Sequence, residues 1–369
     1  MTDPDVAIVG AGITGLSCAY YIARLGLRVR IIERQHIGEG ASGHGGGHIA
    51  PHVSPGWSSL GALALRLWPT LISNLPSPTG YVQAGGLHLI GVDDALDPEA
   101  VAEYRQSQGF VVHALTAARC QELVPPLSRA LKGGVFSPKN AQADPLLTTR
   151  AIALAVRSIG VEICTGTHVT GIQVAGNSVV GLNTSSGDVS TRRVILATGP
   201  WAPCLAAKVT VSIPCRPERV ALMTSQQTQL ITPVLLSKGG LYCRQGLDRR
   251  FYFGADGGST SDLDFSFSRH VTFDDIHHAA SSLLSLIPGL DSLRLVAVHA
   301  RTVDSSPDEL PIIGACSSPR GLFVAVGLEG HGFTLAPAVG RIISQLVTDH
   351  KTDVDITALS PDRFRSARD

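Results

Sequence analysis

Val6-Ala7-Ile8-Val9-Gly10-Ala11-Gly12-Ile13-Thr14-Gly15 stands near the start of the chain, and after a helix-like stretch comes Val29-Arg30-Ile31-Ile32-Glu33. An apolar run, a glycine turn, a helix and a second apolar run spell a β-α-β unit. Gly10 permits the tight turn, Gly12 lets backbone approach a pyrophosphate, and Gly15 allows close helix packing. The helix start at Ile13 and Thr14 offers the partial positive charge that phosphates seek. Glu33 lies eighteen residues beyond Gly15, where a carboxylate reaches ribose hydroxyls and repels a 2′-phosphate. The unit therefore predicts a bound FAD or NAD rather than NADP.

Outward from this unit, residues 38 to 56 are too rich in glycine for a helix or central strand, so they form a loop. An amphipathic helix is expected over 60–75, and a strand over 85–91 opens a region of mixed structure up to Pro138. Asp144-Pro145 starts another helix, with Leu147, Ala151, Leu154 and Ala155 along one face. Strands follow around 161–163, 169–174 and 179–182. Val194-Ile195-Leu196-Ala197-Thr198-Gly199-Pro200 then reads as a parallel strand whose small residues let backbone run beside a dinucleotide. Residues 206 to 299 are again strand-rich, with 241–244 and 250–254 as adjacent strands. Strands at 310–314 and 321–327 precede a helix with Leu335, Val339, Ile342, Ile343 and Leu346 on one stripe. Its glycine-rich start at Glu329-Gly330-His331-Gly332 is a second anion site.

The 369 residues allow two to three domains, and with 44% hydrophobic and 16% charged residues the chain is globular. Thirty Lys+Arg balance thirty Asp+Glu, so no net field draws in nucleic acid or an anionic membrane surface. The apolar window 6–32 is broken by glycines and by Arg24, Arg28 and Arg30, so no integral membrane segment is expected. Seven scattered cysteines without a C-x-x-C pair suit reduced thiols, and Met1-Thr2-Asp3-Pro4-Asp5 has no secretory character. A cytoplasmic protein is expected.

Taken in order, these pieces resemble the D-amino acid oxidase, glycine oxidase and sarcosine oxidase superfamily of FAD-dependent oxidoreductases. The elements are the glycine turn with Glu33, the loop Gly40-Ala41-Ser42-Gly43, the Asp144-Pro145 helix start, Ile195 to Trp201, Pro311-Ile312-Ile313-Gly314, and Gly327 to Pro337. The resemblance implies an α/β fold with a discontinuous Rossmann-like FAD-binding domain over 1–60, 140–205 and 300–369. It implies a second, α+β substrate domain over 61–139 and 206–299, with a mainly antiparallel sheet roofing the flavin. It further implies hydride transfer from a carbon bearing nitrogen to flavin N5, an imine that water hydrolyses, and oxygen or an electron carrier to reoxidise the flavin. The substrate would be a small amine or amino acid, and the step could tailor a larger metabolite.

Site residues follow from the same resemblance. FAD contacts are expected at Gly10, Gly12, Ile13, Thr14, Gly15, Glu33, Arg34, Ala41, Ser42, His44, Gly46, Gly47, His48, Val169, Thr198, Gly199 and Trp201. Gly330, His331, Gly332, Phe333 and Thr334 are expected where the last helix points its dipole at the flavin N1/C2 carbonyl. Arg301 is similar to the arginine that forks onto a substrate carboxylate, the alternative being a pair with Asp304 or Asp308. Tyr242 is similar to the tyrosine over the substrate, whose hydroxyl would hold a carboxylate or amine, and otherwise it is a core aromatic. His48 is expected over the flavin.

Three departures matter. Gly330 stands where glycine oxidase-like members carry a second arginine, which leaves an amine substrate open. Thr302 or Val303 stands where sarcosine oxidases carry the flavin-linked cysteine, so no cysteinyl flavin is expected. Of His44, His48 and His52, His44 is spaced from Gly40 like the histidine that attaches FAD in relatives of dimethylglycine dehydrogenase; the alternative is an ordinary loop histidine. No metal site is expected. Two other readings remain: oxidation of a hydroxy acid or alcohol, with His48 or His331 as base, and a flavin-binding protein without catalysis.

Overall fold

The structure, a computed structural model, describes residues 3–51, 56–229, 231–255 and 270–365. His52 lies outside them. Strand β1 (Val6–Val9), helix α1 (Ile13–Ala23) and strand β2 (Val29–Ile32) form the expected unit. β1 sits inside a six-stranded sheet, between β2 and Val194–Leu196. The order continues through Leu322–Val326 to Ile312–Ala315 on one side and from β2 to Glu162–Cys164 on the other. All pairs are parallel except the outermost Ile312–Ala315 with Leu322–Val326.

Both faces of this sheet are covered, which is why its strands are apolar without alternation. Val6, Ile8, Ile31, Ile195 and Phe323 point into a core shared with α1, Pro145–Ser158 and Gly332–Val347. Their neighbours Ala7, Val9, Val194, Leu196 and Val324 point the other way, against a three-stranded antiparallel sheet over 169–190. In helix Pro145–Ser158 the buried face differs from the expected one. Ala151 and Ala155 are buried with Ile152 and Val156, whereas Leu147 and Leu154 are about half exposed, because Thr148 and Thr149 turn inward.

The second large sheet has eight strands. Its order runs Leu295–Ser305, Arg216–Gln227, Arg250–Ala255, Leu241–Gln245, Leu235–Lys238, Gly86–Gly91, Leu131–Ser137 and His113–Thr116. It is antiparallel apart from one parallel pair, Leu235–Lys238 with Gly86–Gly91. One face buries Leu87, Leu236, Cys243, Phe251 and Phe253 against helix Phe273–Leu286. The opposite face looks toward the glycine turn.

Two expected boundaries fall inside elements. Residue 60 lies in helix Ser58–Ser73, whose Leu60, Ala64, Trp68 and Leu71 join the core of the parallel sheet. Residue 300 lies in Leu295–Ser305, the edge strand of the antiparallel sheet. Among the described residues no helix is long and apolar enough to cross a membrane.

Candidate active site

The site begins where β1 turns into α1. Gly10 has φ +106°, and a Cβ there would lie 2.5 Å from the carbonyl oxygen of Ala197, so the turn is open only to glycine. A Cβ on Gly15 would collide with the carbonyl of Gly10, which fixes its role as helix packing. Glu33 is held toward the turn: its carboxylate accepts from Ala11 N at 2.9 Å and Gln35 N at 2.8 Å. Ser42 Oγ accepts from Ile13 N at 3.0 Å and so braces the start of α1 from the glycine-rich loop. At the same end Arg34 stacks over the Trp201 ring at 4.3 Å.

A cavity of about 1080 Å³ opens from this turn. That exceeds the roughly 300–1,000 Å³ of small-molecule pockets and leaves room for a dinucleotide and a substrate. Gly10, Gly12, Ile13, Thr14, Glu33 and Arg34 line it, as do Ala41, Ser42, Gly46, Gly47 and His48 of the loop. Val169, Thr198, Gly199 and Trp201 line it from the middle segment. Gly330 through Thr334 bring the start of the last helix, and Tyr242 and Arg301 come from the antiparallel sheet. Two expected contacts are not on the wall. Gly15 is packed beneath it, and the His44 ring turns aside, its Nδ1 3.1 Å from the carbonyl of Gly40 and its edge toward His299. His44 thus sits in the loop beside the cavity rather than on its wall.

Around His48 the far end of the cavity is tightly built. Thr334 Oγ1 donates to the His48 carbonyl at 3.0 Å and accepts from Ala50 N at 3.3 Å, tying the last helix to the loop. Trp68 Nε1 donates to the Thr334 carbonyl at 2.8 Å. The His48 ring meets Tyr242 edge-on at 5.5 Å, and its Nε2 is buried with no hydrogen-bond partner among the described residues. Burial first, then the Arg244 cation, with smaller effects from Arg301 and His331, lowers the His48 pKa to about 3. The ring is neutral at physiological pH.

Arg244 is a residue the sequence reading passed over as part of a strand. It is 4% exposed, donates through Nε to the Gly46 carbonyl and through a terminal nitrogen to Gln142 Oε1 at 3.2 Å, and lies 4.1 Å over the Tyr252 ring. The signal was its place two residues after Tyr242, which puts both side chains on one face of the strand. The hydroxyl of Tyr242 donates to the Ala221 carbonyl at 2.8 Å, which leaves it able to accept, and its ring crosses Gly254, where a Cβ would overlap it. The ring rather than a free hydroxyl therefore faces the cavity. Arg301 donates to the His44 carbonyl at 3.4 Å. The pairings weighed against its role are taken elsewhere, since Asp308 accepts from Arg363 at 2.8 and 3.0 Å and Asp304 from Gly327 N at 2.6 Å.

These features fit FAD. The turn excludes a side chain where a pyrophosphate would lie, two helix starts face one cavity, and Thr198 Oγ1 and His48 Nε2 are buried polar atoms without partners among the described residues. Among the described residues no cluster could hold a metal ion.

Comparison with known proteins agrees. The chain is 28% identical to glycine oxidase of Geobacillus kaustophilus (strain HTA426) over 368 residues, covering 96% of each. The crystal structure of glycine oxidase from the same species superposes with a TM-score of 0.90 at 26% identity, covering 99% of this chain and 100% of that one. Mitochondrial dimethylglycine dehydrogenase of Rattus norvegicus is 24% identical over 98% of this chain but only 45% of its own length. The model of the DAO family, FAD dependent oxidoreductase, matches residues 5–346. This chain thus belongs to the DAO family of FAD-dependent oxidoreductases.

Proposed function

We propose that the protein oxidises a C–N bond of an amino acid or amine by hydride transfer, giving an imine that water hydrolyses. The observation that carries this reading is the neutral His48 ring, its Nε2 unpaired among the described residues, beside Arg301 and the Tyr242 ring in the cavity that also holds the dinucleotide turn. FAD, when bound, supplies N5 as the hydride acceptor. Gly10, Gly12, the start of α1 and Glu33 hold its dinucleotide portion, and the loop over 41–48 with the last helix holds its ring. Arg301 takes a substrate carboxylate through its guanidinium fork. His48, too weak a base to carry a proton, accepts an N–H from the substrate nitrogen and orients the carbon that loses hydride. The Tyr242 ring closes one wall and excludes water.

Oxidation of a hydroxy acid or alcohol would need a base to take the hydroxyl proton; a His48 pKa near 3 fails that task, which leaves only His331 for that alternative. Oxygen or an electron carrier then reoxidises the flavin. Seven free cysteines suit a reducing compartment, the cytoplasm. The test is the visible absorbance of the anaerobic enzyme as D- and L-amino acids, secondary amines and hydroxy acids are added in turn. Bleaching by amino acids or amines is expected; bleaching by hydroxy acids alone, or no flavin band even after added FAD, overturns the reading.

A further inference from the structure

The cavity continues past Tyr242 along the antiparallel sheet. Tyr242 stands opposite Ser237, and Ser237 opposite His88 on the next strand, so the three side chains form one row on the face that lines the cavity. At about 4.8 Å per strand, His88 lies about 10 Å from Tyr242. His88 Nδ1 and Ser237 Oγ are 3.1 Å apart. Over this end lies helix Pro98–Ser107, which presents Val101, Tyr104 and Arg105, one helical face, to the same cavity.

Arg105 is half-buried, and burial alone lowers its pKa, with no opposing charge. Among the described residues its guanidinium has no carboxylate, carbonyl or ring partner. Arg244, by contrast, spends its donors on Gly46 and Gln142, and Arg363 on Asp308. A guanidinium withdrawn from water with its fork unspent is stabilised by an anion that enters, and a carboxylate matches that fork with two hydrogen bonds. The apolar faces of Val101 and Tyr104 suit a hydrocarbon stretch leading up to it.

We propose that Arg105 binds a carboxylate of the substrate remote from the carbon that is oxidised, which makes the substrate an amino acid or amine carrying a second acidic group at its far end. This deepens, and rests on, the reading of the site as amine-oxidising. Arg301 serves the near end and Arg105 the far end. A short free amino acid spans only the first.

Two measurements test this on the FAD-loaded enzyme. In the first, calorimetric titration compares α,ω-dicarboxylates of increasing chain length with their monoamides. In the second, N-(ω-carboxyalkyl)glycines and their ω-amides are compared as anaerobic flavin reductants. At the matching length the acid should bind about tenfold more tightly than its amide, the scale of one charge-assisted hydrogen bond. R105Q should bring the ratio close to one, and R105K should keep part of it. A ratio near one at every length in the wild type, or a preference that R105Q leaves intact, overturns the proposal. Titration needs no turnover, so discrimination through Arg105 without flavin bleaching would remove the amine-oxidation reading and leave the acid site standing.

Discussion

A histidine ring out of water and beside two guanidinium groups binds a proton poorly, and His48 turns that cost into a pH dependence of stability. In the unfolded chain the ring protonates below about 6.5, while in the folded protein it stays neutral until about 3. Between those values the unfolded state binds the extra proton, so stability is full above about 6.5 and falls as pH drops toward 3. H48Q should flatten the fall of melting temperature with acid over that window, read by thermal melts at successive pH values; an unchanged slope would mean the ring titrates normally. Glu329 works in the opposite direction. Burial, with the charges of Glu218 and Asp304, raises its pKa from 4.5 to about 7, so stability is lost as pH rises through that range. E329Q keeps an oxygen for Ser306 N, which donates to it at 2.7 Å, and should raise the melting temperature above pH 7 but not at pH 4. Neither environment is visible in sequence. His48 was singled out by the loop it occupies, but its lowered pKa comes first from burial and then from Arg244, which strand pairing brings beneath that loop from almost two hundred residues away.

The elements were more legible than the residues. Apolar runs with glycine turns marked both the β-α-β unit and the strand at Val194–Leu196, because parallel strands buried on two faces have a composition that few other segments share. What pattern alone could not give was which helical stripe faces inward, as Leu147 and Leu154 show. Nor could it give the contact between α1 and the last helix, Gly332–Val347. A glycine inside a helix costs about 1 kcal/mol against alanine, and Gly340 accepts that cost because a Cβ would come within 2.6 Å of the Ser17 backbone. G340A should therefore destabilise the protein by about 1–3 kcal/mol in denaturant unfolding, despite its better helix propensity. A neutral or stabilising result would show that the two helices can separate without cost. At the other end of the same helix, T334V removes two hydrogen bonds to the loop that carries His48. It should cost about 1–3 kcal/mol and lower flavin occupancy, read from the ratio of visible to ultraviolet absorbance.

For the molecule as a whole, the order of motifs along the chain carried the family, and the family carried the architecture. The match over residues 5–346 and the superposition on glycine oxidase agree with a parallel dinucleotide-binding sheet beside a mainly antiparallel one. Function at the level of an FAD-dependent oxidoreductase was legible for the same reason. The far arm of the cavity was not, since His88, Ser237 and Arg105 are meaningless until the register of the large sheet sets them side by side. G12L tests the molecule at this scale. A Cβ at Gly12 already comes to 3.1 Å from Ser42 Oγ, so a leucine there should abolish flavin binding while circular dichroism stays native. Retained flavin would place the cofactor elsewhere.

Strand order carries one more consequence, for synthesis. The parallel sheet takes its central strand from residues 6–9, pairs it with 29–32 and 194–196, and continues from the latter to 322–326, while the antiparallel sheet is assembled from stretches between 86 and 305. A nascent chain leaving the ribosome can complete neither sheet until nearly all of it has emerged. Its early strands wait with open edges, so a chain cut short before Gly321 should be recovered insoluble rather than as a smaller enzyme, read by its partition between the soluble and pelleted fractions.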